Sequence, residues 1–222
     1  LVAAVVWAAL VATALAGAAP APPPEGGRLP EFRLPAPKEP ADRDYLGLAP
    51  GAEFRPAEIR AEVLLIEIFS MYCPYCQKEA PAVNELFRMI ERDPALTGRV
   101  KLIGIGAGNT AFEVDFFRST YQVPFPLFAD PDFTIHKRLG EVRTPYFIGA
   151  RLAAGAAPVV FHSRLGGAKD AAELFRRMLR NSGLGAPPAD GRLPRPAASR
   201  LAAAGSGWPR PPGWSDGGRA PW

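Results

Sequence analysis

Residues 63–70, Val-Leu-Leu-Ile-Glu-Ile-Phe-Ser, constrain the fold of this 222-residue chain more than any other segment. The run is of strand length and almost continuously apolar, the pattern of a strand covered on both faces. It leads directly into Cys73-Pro74-Tyr75-Cys76, and from there into residues 77–92, where Ala80, Val83, Leu86, Phe87 and Ile90 recur at helical spacing. Pro74 suits a first helical position, whereas Pro81 falls inside the helix and kinks it. Residues 99–105 read as a second buried strand. Thr110-Ala-Phe-Glu113 is a capping box that opens a helix to about residue 120. Residues 126–129 form a short strand, and Asp132 caps a helix through Leu139. Residues 146–148 and 158–162 read as strands around a Gly/Ala turn, and Asp170-Ala-Ala-Glu173 caps an amphipathic helix ending near Asn181. This order predicts an α/β fold with a central mixed sheet flanked by helices, its parallel strands first and a hairpin last.

Composition separates this segment from the ends. Residues 61–184 contain eight prolines, and residues 185–222 contain eight more with seven glycines, so the tail reads as a solvated Pro/Gly-rich extension carrying Trp208, Trp214 and Trp222. Residues 1–18 are uncharged and rich in Ala, Val and Leu, and read as the apolar part of a signal peptide that lacks its charged start. Ala16 and Ala18 suit cleavage after Ala18, and an uncleaved membrane anchor is the alternative. Residues 19–40 read as a Pro-rich linker, leaving a domain at 41–184 with its core in 60–182. Export places the protein in an oxidising, periplasmic or extracytoplasmic compartment, where two cysteines pair. The net charge of +4 divides as −1 over residues 1–60, +2 over 61–184 and +3 over 185–222. The basic excess is therefore concentrated in the tail, which argues against nucleic-acid binding by the domain.

The chemistry concentrates where the strand meets the helix. A cysteine at a helix N-terminus faces unpaired N–H groups and the positive end of the dipole, so Cys73 is the expected nucleophile. Cys76, one turn on, is placed to attack a mixed disulfide on Cys73 and release the product. A purely structural disulfide would close too small a loop to gain much entropy. Zinc would need four ligands, and beyond the two cysteines the chain offers only His136 and His162, which read as ordinary helix and strand residues, so no metal is expected. Gln77 after the motif excludes the Cys-x-x-Cys-His haem pattern. Gly104-Ile-Gly-Ala-Gly108 follows a strand, but Asn109 stands where a dinucleotide fingerprint needs glycine, so the run reads as a tight turn. Glu67 lies among Leu, Ile and Phe, where burial raises a carboxyl pKa and equips it to take a proton from Cys76.

Taken together these residues resemble a thioredoxin-fold protein of the exported TlpA/ResA-like redoxin group. Glu67, six residues before Cys73, stands where thioredoxins carry a buried acid. Pro81, five after Cys76, matches their helix-kinking proline. Thr144-Pro145, just before a strand, resembles their cis-proline. The resemblance covers about residues 60–182. Two helices between the second strand and Pro145, where thioredoxin has one, match the insertion of TlpA-related redoxins and peroxiredoxins. Tyr72 replaces the usual Trp, and Pro-Tyr between the cysteines is the glutaredoxin dipeptide. The resemblance implies a three-layer fold and exchange of disulfides with protein thiols through Cys73 and Cys76, in the reductive direction. It also implies a monomer with a membrane-bound redox partner, no cofactor beyond the Cys73–Cys76 disulfide, and substrate contacts from Pro74, Tyr75, Thr144 and Pro145. Two alternatives stay open. A peroxiredoxin-like thiol peroxidase would use Pro-x-x-x-Thr-x-x-Cys, here with Ser70 for Thr and Ile66 for Pro. A Cu(I)-delivery module would use Cys73, Cys76 and a histidine as soft ligands.

Overall fold

The computed structural model describes residues 20–166 and 170–184. The signal-peptide segment and the Trp-bearing tail lie outside them. The elements in chain order are β1 (Leu34–Pro35), α1 (Pro40–Leu46), β2 (Glu53–Phe54), a 3-10 turn (Pro56–Glu58), β3 (Val63–Phe69), α2 (Pro74–Arg92), β4 (Val100–Ala107), α3 (Ala111–Tyr121), β5 (Leu127–Asp130), α4 (Thr134–Arg138), β6 (Tyr146–Arg151), β7 (Val159–Leu165) and α5 (Ala171–Ser182). The main sheet has the order β5-β4-β3-β6-β7. β3 runs parallel to β4 and antiparallel to β6, β5 is parallel to β4, and β6 and β7 form the terminal hairpin. The apolar run at 63–69 therefore occupies the central strand, and all seven of its residues are buried. Its two faces serve different layers. Leu64, Ile66 and Ile68 pack with residues of α1, α4 and the N-terminal segment, while Val63, Leu65 and Phe69 pack with those of α2, α3 and α5. By the alternation of a strand, Glu67 falls on the second face, beneath α2.

Residues 19–40 do not behave as a linker where they are described. Leu29, Phe32 and Leu34 are 5%, 3% and 0% exposed and belong to the core. Gly26 N–H donates to Val160 O (2.8 Å), Val160 N–H to Gly27 O (2.8 Å) and Leu29 N–H to Pro158 O (2.8 Å), extending the sheet past β7. Burial of three such side chains stabilises the domain by roughly 5 kcal/mol. The core also takes in Leu46, Phe54 and Ile59, and so begins well before residue 60.

The start of α4 also differs from the sequence expectation. The helix starts at Thr134 behind Phe133, and Asp132 does not cap it. The Asp130 carboxylate at the end of β5 accepts instead from Ile135 N–H (3.1 Å) and His136 N–H (2.8 Å). The other two caps stand as read: Thr110 and Glu113 form the capping box of α3, and the Asp170 carboxylate accepts from Ala172 and Glu173 N–H at α5. Among the described residues no helix is long and apolar enough to cross a membrane.

His162 on β7 is fully buried, with no hydrogen-bond partner at either ring nitrogen. Burial pushes its pKa from 6.5 to about 4; the Glu25 charge opposes this, while Arg164 and Arg177 add to it. The fold thus holds the neutral ring, and the stability it contributes is complete above pH 6.5 and is lost as pH falls through 4. Relative to His162→Leu, the wild type is expected to lose on the order of 2–3 kcal/mol between pH 7 and pH 4. Urea midpoints of the two proteins at both pH values measure it.

Candidate active site

The site lies beyond the C-terminal end of β3, where the strand gives way to a turn and α2 begins. Cys73 is the N-cap of α2, with extended backbone (φ −82°, ψ 113°), and Pro74 opens the helix. The turn is closed by Cys73 N–H donating to Ser70 O (3.0 Å). Cys73 is half-buried and Cys76 fully buried, and both are free thiols. The Cys73 thiol donates to the Thr144 carbonyl (3.3 Å), bringing the loop before β6 to within hydrogen-bond distance of the nucleophile. The Thr144–Pro145 peptide bond is cis.

These surroundings drive the two sulfurs apart in acidity. Burial pushes the Cys73 thiol up, but hydrogen bonds from the Thr144 side chain and from the Cys76 and Tyr75 backbone more than offset it, leaving the thiol below its ordinary value. At Cys76 burial dominates. A hydrogen bond at Ser70 opposes it only in part, and the nearby charges of Glu67 and Cys73 add to it, so the Cys76 thiol lies far above its ordinary range. The first sulfur is thus the more readily ionised of the two, and the second the harder to deprotonate. At pH 7 iodoacetamide is accordingly expected to modify Cys73 at least about 100-fold faster than Cys76 in the reduced protein, as resolved by peptide mass mapping over time.

A buried acid lies near enough for its charge to act on Cys76. Glu67 is 3% exposed. Burial above all, with the charges of Glu79 and Cys73 acting in the same direction, raises its pKa to about 8. Glu79 is a second buried acid, which the sequence reading passed over. Its signal was present, because residues 76, 79, 80 and 83 form one buried stripe on α2 with Glu79 as its only acid. Glu79 also lines a groove of about 600 Å³ with Tyr75, Arg143, Thr144, Pro145 and Leu165. The groove runs beside the nucleophile, and exposed Tyr75 forms part of its rim.

The histidines lie elsewhere. His136 Nε2 bonds Val142 O (2.8 Å), and His162 is buried in β7. Among the described residues no group of three or more His, Cys, Asp or Glu side chains is arranged to hold a metal ion, so a Cu(I) site here would rest on the two sulfurs without a histidine.

Residues 26–161 match the family model described as AhpC/TSA family. The chain belongs to the AhpC/TSA family. The match to this redoxin family begins inside the segment whose composition suggested a linker. No curated protein matches the chain in sequence. Among solved structures, a putative thiol:disulfide interchange protein DsbE from Chlorobium tepidum is 13% identical, with a TM-score of 0.54 over 72% of this chain and 99% of that one. A putative protein disulfide isomerase from Bacteroides thetaiotaomicron is 19% identical, with a TM-score of 0.51 over 72% of this chain and 91% of the other. The thioredoxin domain of a thiol-disulfide oxidoreductase from Bacteroides vulgatus is 12% identical, with a TM-score of 0.51 over 71% and 96%. The fold of this AhpC/TSA member is thus the thioredoxin fold, a five-stranded mixed sheet between two helical layers.

Proposed function

We propose that this redoxin is an exported, monomeric protein dithiol/disulfide oxidoreductase that works as a reductant on protein disulfides and is recharged by a membrane-bound partner. The observation that carries the reading is the divergence of the two thiols, with Cys73 acidic and accessible at the helix N-cap and Cys76 buried behind it beside Glu67. Cys73 thiolate attacks one sulfur of a substrate disulfide, forming a mixed disulfide and expelling the other substrate sulfur as a thiolate. Cys76 gives its proton to Glu67 and attacks Cys73 Sγ, which expels the second substrate thiolate and closes the Cys73–Cys76 disulfide. Two electrons pass to the substrate, and no cofactor beyond the dithiol is needed. The groove along Thr144 and Pro145, with Tyr75 in its lining, supports docking of an extended segment, and Pro74 adjoins it in sequence at the start of α2. The reductive direction, export and the membrane partner follow the likeness to TlpA/ResA-like redoxins. Equilibration with glutathione tests the direction: a potential near that of thioredoxin, about −270 mV, supports a reductant, and one near about −120 mV makes the protein an oxidant.

A further inference from the structure

The turn that presents Cys73 has little regular structure of its own, yet one of its residues, Met71, is held at both its N–H and its C=O. Met71 N–H donates to Asn109 Oδ1 (2.8 Å), a residue of the β4–α3 junction. Met71 C=O accepts from Gln77 Nε2 (2.7 Å), from the first turns of α2. Asn109 is fully buried and its Nδ2 has no partner, a desolvation cost that an apolar residue would avoid. The glycine run before it makes room for this amide. A Cβ on Gly106 would lie 2.9 Å from Val114 Cγ2 and 3.1 Å from both Asn109 Cβ and Oδ1. Gly106 is also the register partner of Phe69, the last residue of β3, so the amide stands directly beside the point where the chain leaves the sheet toward Cys73.

We propose that Asn109 and Gln77 are positioning residues for the nucleophile: by holding Met71 through its N–H and its C=O, they fix the turn so that Cys73 stays at the N-cap of α2. The proposal rests on Cys73 being the attacking thiol, and it assigns a role to the glycine-rich junction that the redox motif leaves unexplained. Losing either grip frees the turn, and Cys73 drifts from the donors that stabilise its thiolate.

The test follows the pH dependence of iodoacetamide modification of Cys73 in the full-length reduced protein, comparing wild type, Asn109→Leu, Gln77→Met and the double variant. Gln77 is only partly buried, so its variant reports even if Asn109→Leu fails to fold. Each single variant is expected to raise the midpoint by about one unit, a roughly tenfold slower reaction below it. The double is expected to shift little more than either single, because both act through one residue, Met71. Midpoints unchanged in the single variants, even with a lowered melting temperature, would show a merely structural role and overturn the proposal. Single shifts that add fully in the double would overturn the shared grip. Failure of the nucleophile assignment itself is separable, since it shows in the wild type as an ordinary Cys73 midpoint.

Discussion

Glu67→Gln is expected to slow resolution of the mixed disulfide on the order of 100-fold, while attack by Cys73 on a substrate disulfide stays within about twofold of wild type. The asymmetry follows from position. Glu67 is buried on the α2 face of β3 and close enough for its charge to act on Cys76, whereas Cys73 owes its acidity to donors in the helix and at Thr144. With a pKa of about 8, Glu67 becomes a competent base only as pH rises through that value, so the wild-type resolution rate climbs toward pH 8 and levels off above it, whereas the variant shows no levelling and keeps climbing with the Cys76 thiolate. Stability moves the other way. The folded pKa lies above the unfolded one, so the contribution of Glu67 is complete below about 4.5 and is lost as pH rises through 8. Glu67→Gln is therefore also expected to flatten the alkaline loss of stability. Single-turnover quenched flow separates the two chemical steps. Equal slowing of both would leave Glu67 with a structural role only.

Cys73→Ser and Cys76→Ser should differ more sharply than any other pair of substitutions. Without Cys73 there is no accessible thiolate, and disulfide exchange falls by at least about a thousandfold, to the level of a buried, largely protonated thiol. Without Cys76 the first attack proceeds and release does not, so the substrate remains joined to Cys73. Incubation of Cys76→Ser with a disulfide-bonded polypeptide is expected to give a covalent adduct that dithiothreitol reverses, and Cys73→Ser is expected to give none. Non-reducing electrophoresis followed by mass mapping reads the outcome.

The parts of this fold legible in the sequence are those written in local periodicity. β3 could be seen because a central strand is apolar on both faces, and α2 because its buried stripe recurs at helical spacing. The Thr110–Glu113 box was legible because both of its bonds lie within one turn. What escaped depends on distant partners. Leu29, Phe32 and Leu34 are spaced among prolines and glycines with no helical or strand period, and what orders them is backbone pairing with the edge of β7, some 130 residues later. Asp130 rather than Asp132 serves α4 because Phe133 takes a left-handed conformation (φ 56°) that turns the chain back over the end of β5. In the site, Cys73, Cys76 and Glu67 followed from residue type and spacing. Asn109 registered only as a break in a glycine pattern, because its partner, Met71, lies 38 residues away.

In the proposed function, Cys73 and Cys76 together hand two electrons to a protein disulfide. The most direct test mixes reduced wild-type protein with one equivalent of oxidised insulin-type polypeptide, then maps both products by mass after acid quenching. Each mole of substrate disulfide reduced is expected to leave one mole of Cys73–Cys76 disulfide on this chain, with both sulfurs otherwise unmodified. Insulin left oxidised, together with rapid conversion of Cys73 to an oxygenated sulfur by a stoichiometric hydroperoxide in a parallel reaction, would contradict it and make the protein a peroxidase.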